Sequence, residues 1–299
     1  MQKILLTGVN GQVGHALKTN LTEYEVIALS REQLDLTKIH DIRHVVRDIK
    51  PNIIINPAAY TAVDKAESEP ELAFAINTAA VQILAEEAAR LGAALIYFST
   101  DYVYDGTKKN PYVEHDDVNP VSVYGKSKLA GEAAIRAVGL PHLILRTSWV
   151  YGAYGKNFLK TILRLAAERD ALSIVGDQVG APTSSESIAN AVVQLVDVWK
   201  PTQENQTGIY HLTNKGETSW YGFSCDIVNQ YNVLMSGKDW PALKLNVKNI
   251  AAITTADYPT PAARPANSRL NNAKLKQVFD VELPTWPHAL QQVMQSLAL

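Results

Sequence analysis

Thr7-Gly8-Val9-Asn10-Gly11-Gln12-Val13-Gly14 is the stretch whose reading decides the fold. It follows the strand-like run Lys3-Ile4-Leu5-Leu6-Thr7 and opens a helix-like stretch from about residue 11 to residue 21. A G-x-x-G-x-x-G spacing between a strand and a helix is the setting of a dinucleotide phosphate loop. Gly8 permits the tight turn, Gly11 lets the main chain approach a pyrophosphate, and Gly14 allows close helix–sheet packing. Free N–H groups and the helix dipole then favour an anion at the helix start. The plain alternative is an ordinary glycine-rich βα turn.

Outward from this loop, short apolar runs alternate with amphipathic stretches. Strands are expected at residues 25–29, 52–56, 94–98 and 142–146, and Leu172–Val175 reads as a sixth. Between them, Thr37 is the expected cap of a helix that carries Ile42, Val45, Val46 and Ile49 and stops at Pro51. Further helices are expected over 71–91, ending at Gly92, over 124–138 and over 157–168. Alternating strands and helices imply right-handed βαβ units on a parallel sheet. The fold class is therefore α/β, a Rossmann-type doubly wound parallel sheet with a smaller C-terminal α/β lobe for substrate. The boundary is drawn at 1–175 and 176–299, with the chain free to return to the first domain. Beyond residue 176 the run Val179-Gly180-Ala181-Pro182-Thr183 is loop-like, and Tyr258 to Pro265 is proline-rich and extended.

The second strand ends in Leu29-Ser30-Arg31. An acidic residue there would bind a ribose 2′-hydroxyl and repel a 2′-phosphate. A hydroxyl and a guanidinium favour NADPH over NADH, unless Arg31 is only a solvated loop residue. Asp35 and Leu36 follow, close enough to meet the adenine end, although Asp35 also suits a helix cap. In Tyr124-Gly125-Lys126-Ser127-Lys128, Tyr124 and Lys128 share one helix face. A neighbouring ammonium favours a phenolate, so the pair suits proton donation to a carbonyl oxygen. Ser99-Thr100-Asp101 ends the fourth strand and offers a hydroxyl to the same oxygen.

Lys+Arg is 28 and Asp+Glu is 30, a net charge of −2, which gives nucleic acid and membrane surfaces no electrostatic attraction. One cysteine, Cys225, excludes an intrachain disulfide and Cys-based clusters, and it reads as a small buried residue. The seven histidines show no H-x-x-x-H spacing with a nearby glutamate, so zinc is not expected. No apolar run is long enough for a signal peptide core or a membrane helix, and the expected location is cytoplasmic. Trp199, Trp220, Trp240 and Trp286 read as packing residues. Trp149 follows a strand at its C-terminal end, where ligands of open α/β sheets gather.

These motifs, with Asn56 to Glu67, Ser99 to Tyr104, Arg146 to Tyr151 and Arg264 to Arg269, resemble the extended short-chain dehydrogenase/reductase family over nearly the whole chain. The resemblance implies a reductase that transfers hydride from NADPH to the 4-keto group of a dTDP-linked deoxysugar. It makes Tyr124 the general acid, Lys128 its partner and a ligand of the nicotinamide ribose, and Thr100 a donor to the reacting oxygen. Gly8, Gly11, Gln12, Val13 and Gly14 would hold the pyrophosphate. Ser30, Arg31, Asp35 and Leu36 would surround the adenosine, and Ala58, Ala59, Tyr60 and Thr61 would follow the cofactor. Asp101 and Trp149 would meet the sugar nucleotide. Arg264 and Asn267 would clamp its far end, unless Arg264 ties the lobes together.

Some relatives bridge a dimer with magnesium through glutamates. One of those positions is Ala16 here; Glu186 matches a second, and Pro287-His288-Ala289 offers no third. The expected partners are a dTDP-sugar and, at most, a second copy in a homodimer. Two rivals stand: a related reductase or epimerase for another nucleotide sugar, and a non-catalytic NADP-binding regulatory subunit.

Overall fold

The computed structural model describes residues 2–235 and 240–297. The central sheet begins with β1 (Lys3–Leu6), α1 (Gln12–Asn20), β2 (Glu25–Ala28), α2 (Ile39–Ile49) and β3 (Ile53–Asn56). Then come α3 (Val63–Ala66), α4 (Pro70–Phe74), α5 (Ala80–Leu91), β4 (Ala94–Thr100), α6 (Val123–Val138) and β5 (His142–Thr147). The second half holds β6 (Val150–Tyr151), α7 (Phe158–Glu168), β7 (Leu172–Val175), β8 (Val179–Gly180), β9 (Thr183–Ser184) and α8 (Ser185–Val198). It ends with β10 (Gly208–His211), β11 (Thr218–Ser219), α9 (Trp220–Leu234), β12 (Ile250–Ile253), β13 (Asn267–Ser268), α10 (Ala273–Phe279) and α11 (Trp286–Gln295).

The six-stranded sheet has the order β10-β5-β4-β3-β1-β2, and every pairing in it is parallel. Its inner strands are apolar without alternation because both faces are covered. Ile53, Ile54 and Ile55 are all buried, Ile53 and Ile55 toward α1 and α8, Ile54 toward α2 and α5. The sheet is therefore doubly wound, and the carboxyl ends of β1, β3, β4 and β5 open on one edge. No helix among the described residues is long and apolar enough to cross a membrane.

Four local expectations are corrected. The sixth strand of the sheet is β10, not Leu172–Val175. β7 pairs instead with β12 in a separate two-stranded sheet, where only Leu172 of its four residues is buried. β10 supplies the buried pair Tyr210 and His211 to the edge beside β5. Thr37 does not cap α2: its N–H and hydroxyl both donate to Asp35 Oδ1, at 3.0 and 2.8 Å, and Lys38 stands at the cap. Asp35 thus forms a tight turn before the helix. The helix expected over 71–91 contains a π turn at Ala75–Ala79, and Cys225 is half-buried rather than buried. A third hydrophobic cluster lies away from the central sheet, between α7, α9 and α11.

Candidate active site

The glycine loop is a main-chain construction. Gly8 has φ +61°, and a Cβ there would press on the Ala58 main chain. Gly11 N donates to Gly8 O at 2.9 Å and closes the loop. A Cβ on Gly14 would strike the Gly8 carbonyl, so the close approach at Gly14 is to the turn itself and not to the sheet. α1 starts at Gln12 with no side-chain cap, leaving its first amides for an anion. Gln12 reaches sideways: its Oε1 accepts from Asn157 Nδ2 at 3.0 Å. These features fit a dinucleotide pyrophosphate.

A cavity of about 640 Å³ runs from this loop across the carboxyl edge of the sheet. Its wall includes Gly8, Gly11, Gln12, Val13, Gly14, Arg31, Asp35, Leu36, Ala58, Ala59 and Thr61, then Thr100, Asp101, Tyr124 and Lys128, then Trp149 and Arg264. Three predicted residues lie outside this wall. Ser30 donates its hydroxyl to Glu32 at 2.6 Å. The Tyr60 hydroxyl donates to Glu69 at 2.7 Å. Asn267 is buried, its amide donating to the carbonyls of Lys108 and Asn110 and its Oδ1 accepting from Arg269.

Ser122 caps α6 through Gly125 N at 3.1 Å, which fixes where Tyr124 and Lys128 project. Lys128 is buried, donates to Phe98 O at 2.6 Å, and lies 4.0 Å from the centre of the Tyr97 ring. Burial lowers its ammonium to about 7, against the opposing pull of Glu132. Tyr124 does not show the lowered pKa expected from the sequence. Burial holds its phenol well above the ordinary range, the Thr100 hydroxyl acting against burial and Asp101 with it. Thr100 donates to Asp101 Oδ1 at 3.0 Å. Asp101 Oδ2 is buried without a protein hydrogen bond. Burial raises this carboxyl to about 6, the Ser268 and Thr100 hydroxyls moderating the rise.

Two further contributors, Asn77 and Trp220, carry no sequence signature of that role. Asn77, in the π turn, holds Tyr60 N at 2.9 Å and bonds Ser127 Oγ at 2.9 Å, tying the loop after β3 to α6. A π turn at such a junction is a common mark of a functional site. Trp220 is not simply a packing residue: it lines the cavity and stacks on Trp149 at 3.6 Å. Arg264 lines the cavity and also bonds to distant parts of the chain, with its guanidinium 2.7 Å from Asp64 and 3.3 Å from the Tyr102 hydroxyl. Glu186 is engaged by the Ser185 hydroxyl at 3.1 Å.

A family model described as the RmlD substrate binding domain matches residues 1–299. The chain belongs to this family. A dTDP-4-dehydrorhamnose reductase of Burkholderia thailandensis is 44% identical over 299 residues, covering 99% of both chains. A solved dTDP-4-dehydrorhamnose reductase from Clostridium acetobutylicum superposes with TM-score 0.88 at 37% identity, over 98% of this chain and 99% of that one. Another, from Bacillus anthracis in complex with NADP, gives TM-score 0.89 at 34% identity over 99% of both chains. Within this family the Rossmann-type sheet and the glycine loop carry the fold expectation made from the sequence.

Proposed function

We propose that this protein reduces the C4 keto group of dTDP-4-dehydro-L-rhamnose (dTDP-6-deoxy-L-lyxo-4-hexulose) to give dTDP-L-rhamnose, the last step of dTDP-rhamnose biosynthesis. The observation that carries the reading is one cavity joining the glycine loop to Tyr124, Trp149 and Arg264. The family membership and the NADP complex of a relative support the cofactor. NADPH, when bound, supplies the hydride for C4.

The chain's own residues do the rest. The uncapped amides at the start of α1 take the pyrophosphate, and Arg31 meets the 2′-phosphate. Tyr124 donates its proton to the sugar O4 as negative charge develops there. A phenol that burial keeps protonated is in the correct form for that donation. The Thr100 hydroxyl hydrogen-bonds the same oxygen. Lys128 bonds the nicotinamide ribose, and its charge stabilises the tyrosinate left behind. Asp101 and Trp149 hold the sugar, and Arg264 meets the nucleotide diphosphate. The proposal includes a cytoplasmic location and a monomer or homodimer.

The test is loss of NADPH absorbance on adding dTDP-4-dehydro-L-rhamnose, with a UDP-linked 4-keto sugar as control. Oxidation with the dTDP sugar alone supports the reading; no oxidation by protein that binds NADPH overturns it. Tyr124→Phe is expected to lower kcat by about 100-fold or more, with the NADPH Kd unchanged. Normal turnover in that variant removes Tyr124 from the acid role.

A further inference from the structure

Trp149 stands in an unusual conformation. Its φ is +49°, a region that bulky residues rarely adopt. It follows β5 of the central sheet, yet its indole lies against the smaller lobe. The Trp220 ring is stacked on it at 3.6 Å with 12° between the planes. Trp220 is backed in turn by Phe158, ring centre to ring centre 4.5 Å. Gly180 also lies against the indole: a Cβ there would come within 2.7 Å of Trp149 Cε2 and 2.9 Å of Cζ2.

Both supports are anchored on one small sheet. Gly180 of β8 is registered with Thr218 of β11, antiparallel, and with Ser268 of β13, parallel. β11 runs directly into α9, whose first residue is Trp220. The two surfaces that touch the indole are therefore fixed relative to each other by main-chain pairing.

We infer that Gly180 and Trp220 are positioning residues for the sugar-nucleotide reaction, forming a fixed seat for the Trp149 indole at the cavity wall. The inference rests on the reading that the cavity takes a nucleotide sugar. With Trp220 stacked on the Trp149 ring and Gly180 against its Cε2 and Cζ2, these two contacts set where the ring meets a ligand in the cavity. A shift of about 1 Å in such a group is enough to cost on the order of 100-fold in rate. Gly180 acts only through Trp149, because the room it leaves is filled by that ring.

The test is a double-mutant cycle read in kcat/KM for the dTDP sugar and in NADPH Kd. Gly180→Ala is expected to lower kcat/KM at least about tenfold, with NADPH affinity unchanged. Trp149→Phe removes the atoms nearest the new methyl, so the double variant is expected to be no worse than Trp149→Phe alone. Full additivity of the two losses, or normal activity in Gly180→Ala, overturns the seat. Should Gly180→Ala also lose NADPH binding, its effect is global and Trp220 decides. Trp220→Ala must then lower kcat/KM with NADPH binding intact, and Trp220→Phe must recover most of it; normal Trp220→Ala overturns the proposal. An inactive wild type overturns the functional reading separately. Calorimetric affinity for dTDP-L-rhamnose then reads the same cycle, and absence of that binding overturns both.

Discussion

The two ends of the cavity are built by different means. The end at the glycine loop is largely main chain from one stretch of sequence: a tight turn, an uncapped helix start, and glycines at 8 and 14 where a Cβ would strike backbone. The other end is made of side chains from Tyr102, Trp149, Trp220 and Arg264, which lie as far as 162 residues apart in sequence and meet only in the folded chain. Main-chain recognition suits a ligand shared by many enzymes, because it tolerates change in side chains. Side-chain recognition suits the part that must discriminate. Behind the wall, the lining residue Ser99 bonds Glu132, which forms a buried pair with Arg146 at 2.9 and 2.6 Å.

That pair gives the largest expected effect. Both side chains are about 2% exposed, so Glu132→Ala leaves a guanidinium buried without its carboxylate. The expected cost is about 3–5 kcal/mol in urea unfolding. Asp64→Ala removes a similar-looking pair at the cavity mouth, where Asp64 is 42% exposed. It is expected to cost under about 1 kcal/mol of stability and to raise KM for the sugar nucleotide instead. Equal stability losses would erase the distinction between a structural support and a binding wall.

Asp101 gives the next effect, as a pH dependence. Its carboxyl is raised from 3.8 to about 6 by burial. Between those pH values the folded chain holds a proton that the unfolded chain has released. This group therefore makes stability fall as pH rises through that window. Asp101→Asn is expected to match the wild type near pH 3.5 and to exceed it by about 3 kcal/mol at pH 7. The difference between variant and wild type is the quantity to follow, since Glu87 and Asp105, both lowered to about 2 by their partners, act in the opposite direction. A flat difference would mean that Asp101 ionises freely.

How much was legible in the sequence follows the same division. The loop, the Tyr124–Lys128 face and five of the six sheet strands are local patterns, readable from periodicity and spacing. β10 was missed because its four residues carry no long apolar run, and only the edge beside β5 makes them a strand. Asn77 was missed because a buried amide in a helical pattern looks like a surface residue until the π turn carries it inward. Trp220 was read as packing, which is half of its role; its other face of interest depends on Trp149, 71 positions away in the numbering. Asn267 lies in the matching segment, yet its amide is committed to the 108–110 carbonyls, so its position in sequence did not reveal its direction.

The glycine loop itself supplies a graded test. Gly14→Ala would drive its Cβ to within 2.2 Å of Gly8 O, whereas a Cβ on Gly11 meets one neighbour, Gly8 O, at 3.3 Å. Overpacking of about 1–3 kcal/mol corresponds to a loss of NADPH affinity of about 10- to 100-fold for Gly14→Ala. Gly11→Ala is expected to stay within a few-fold. Isothermal titration with NADPH checks both, and equal losses would show that the loop recognises its ligand by flexibility rather than by the room it leaves.

The smallest effect concerns the one side chain at the main-chain end that is asked to discriminate. Arg31 is exposed on the cavity rim, and its charge is felt by Glu32 and Asp35 without a direct hydrogen bond among the described residues. Arg31→Ala should therefore leave thermal stability unchanged. A charge-assisted contact to the 2′-phosphate at so open a site is worth roughly 1–2 kcal/mol. The preference for NADPH over NADH should then fall about tenfold, and the fall should shrink in high salt because exposed charges are screened. NADH affinity should not change, since that cofactor lacks the phosphate. An unchanged preference would place discrimination in the main chain after all, and Arg31 would be a solvated loop residue.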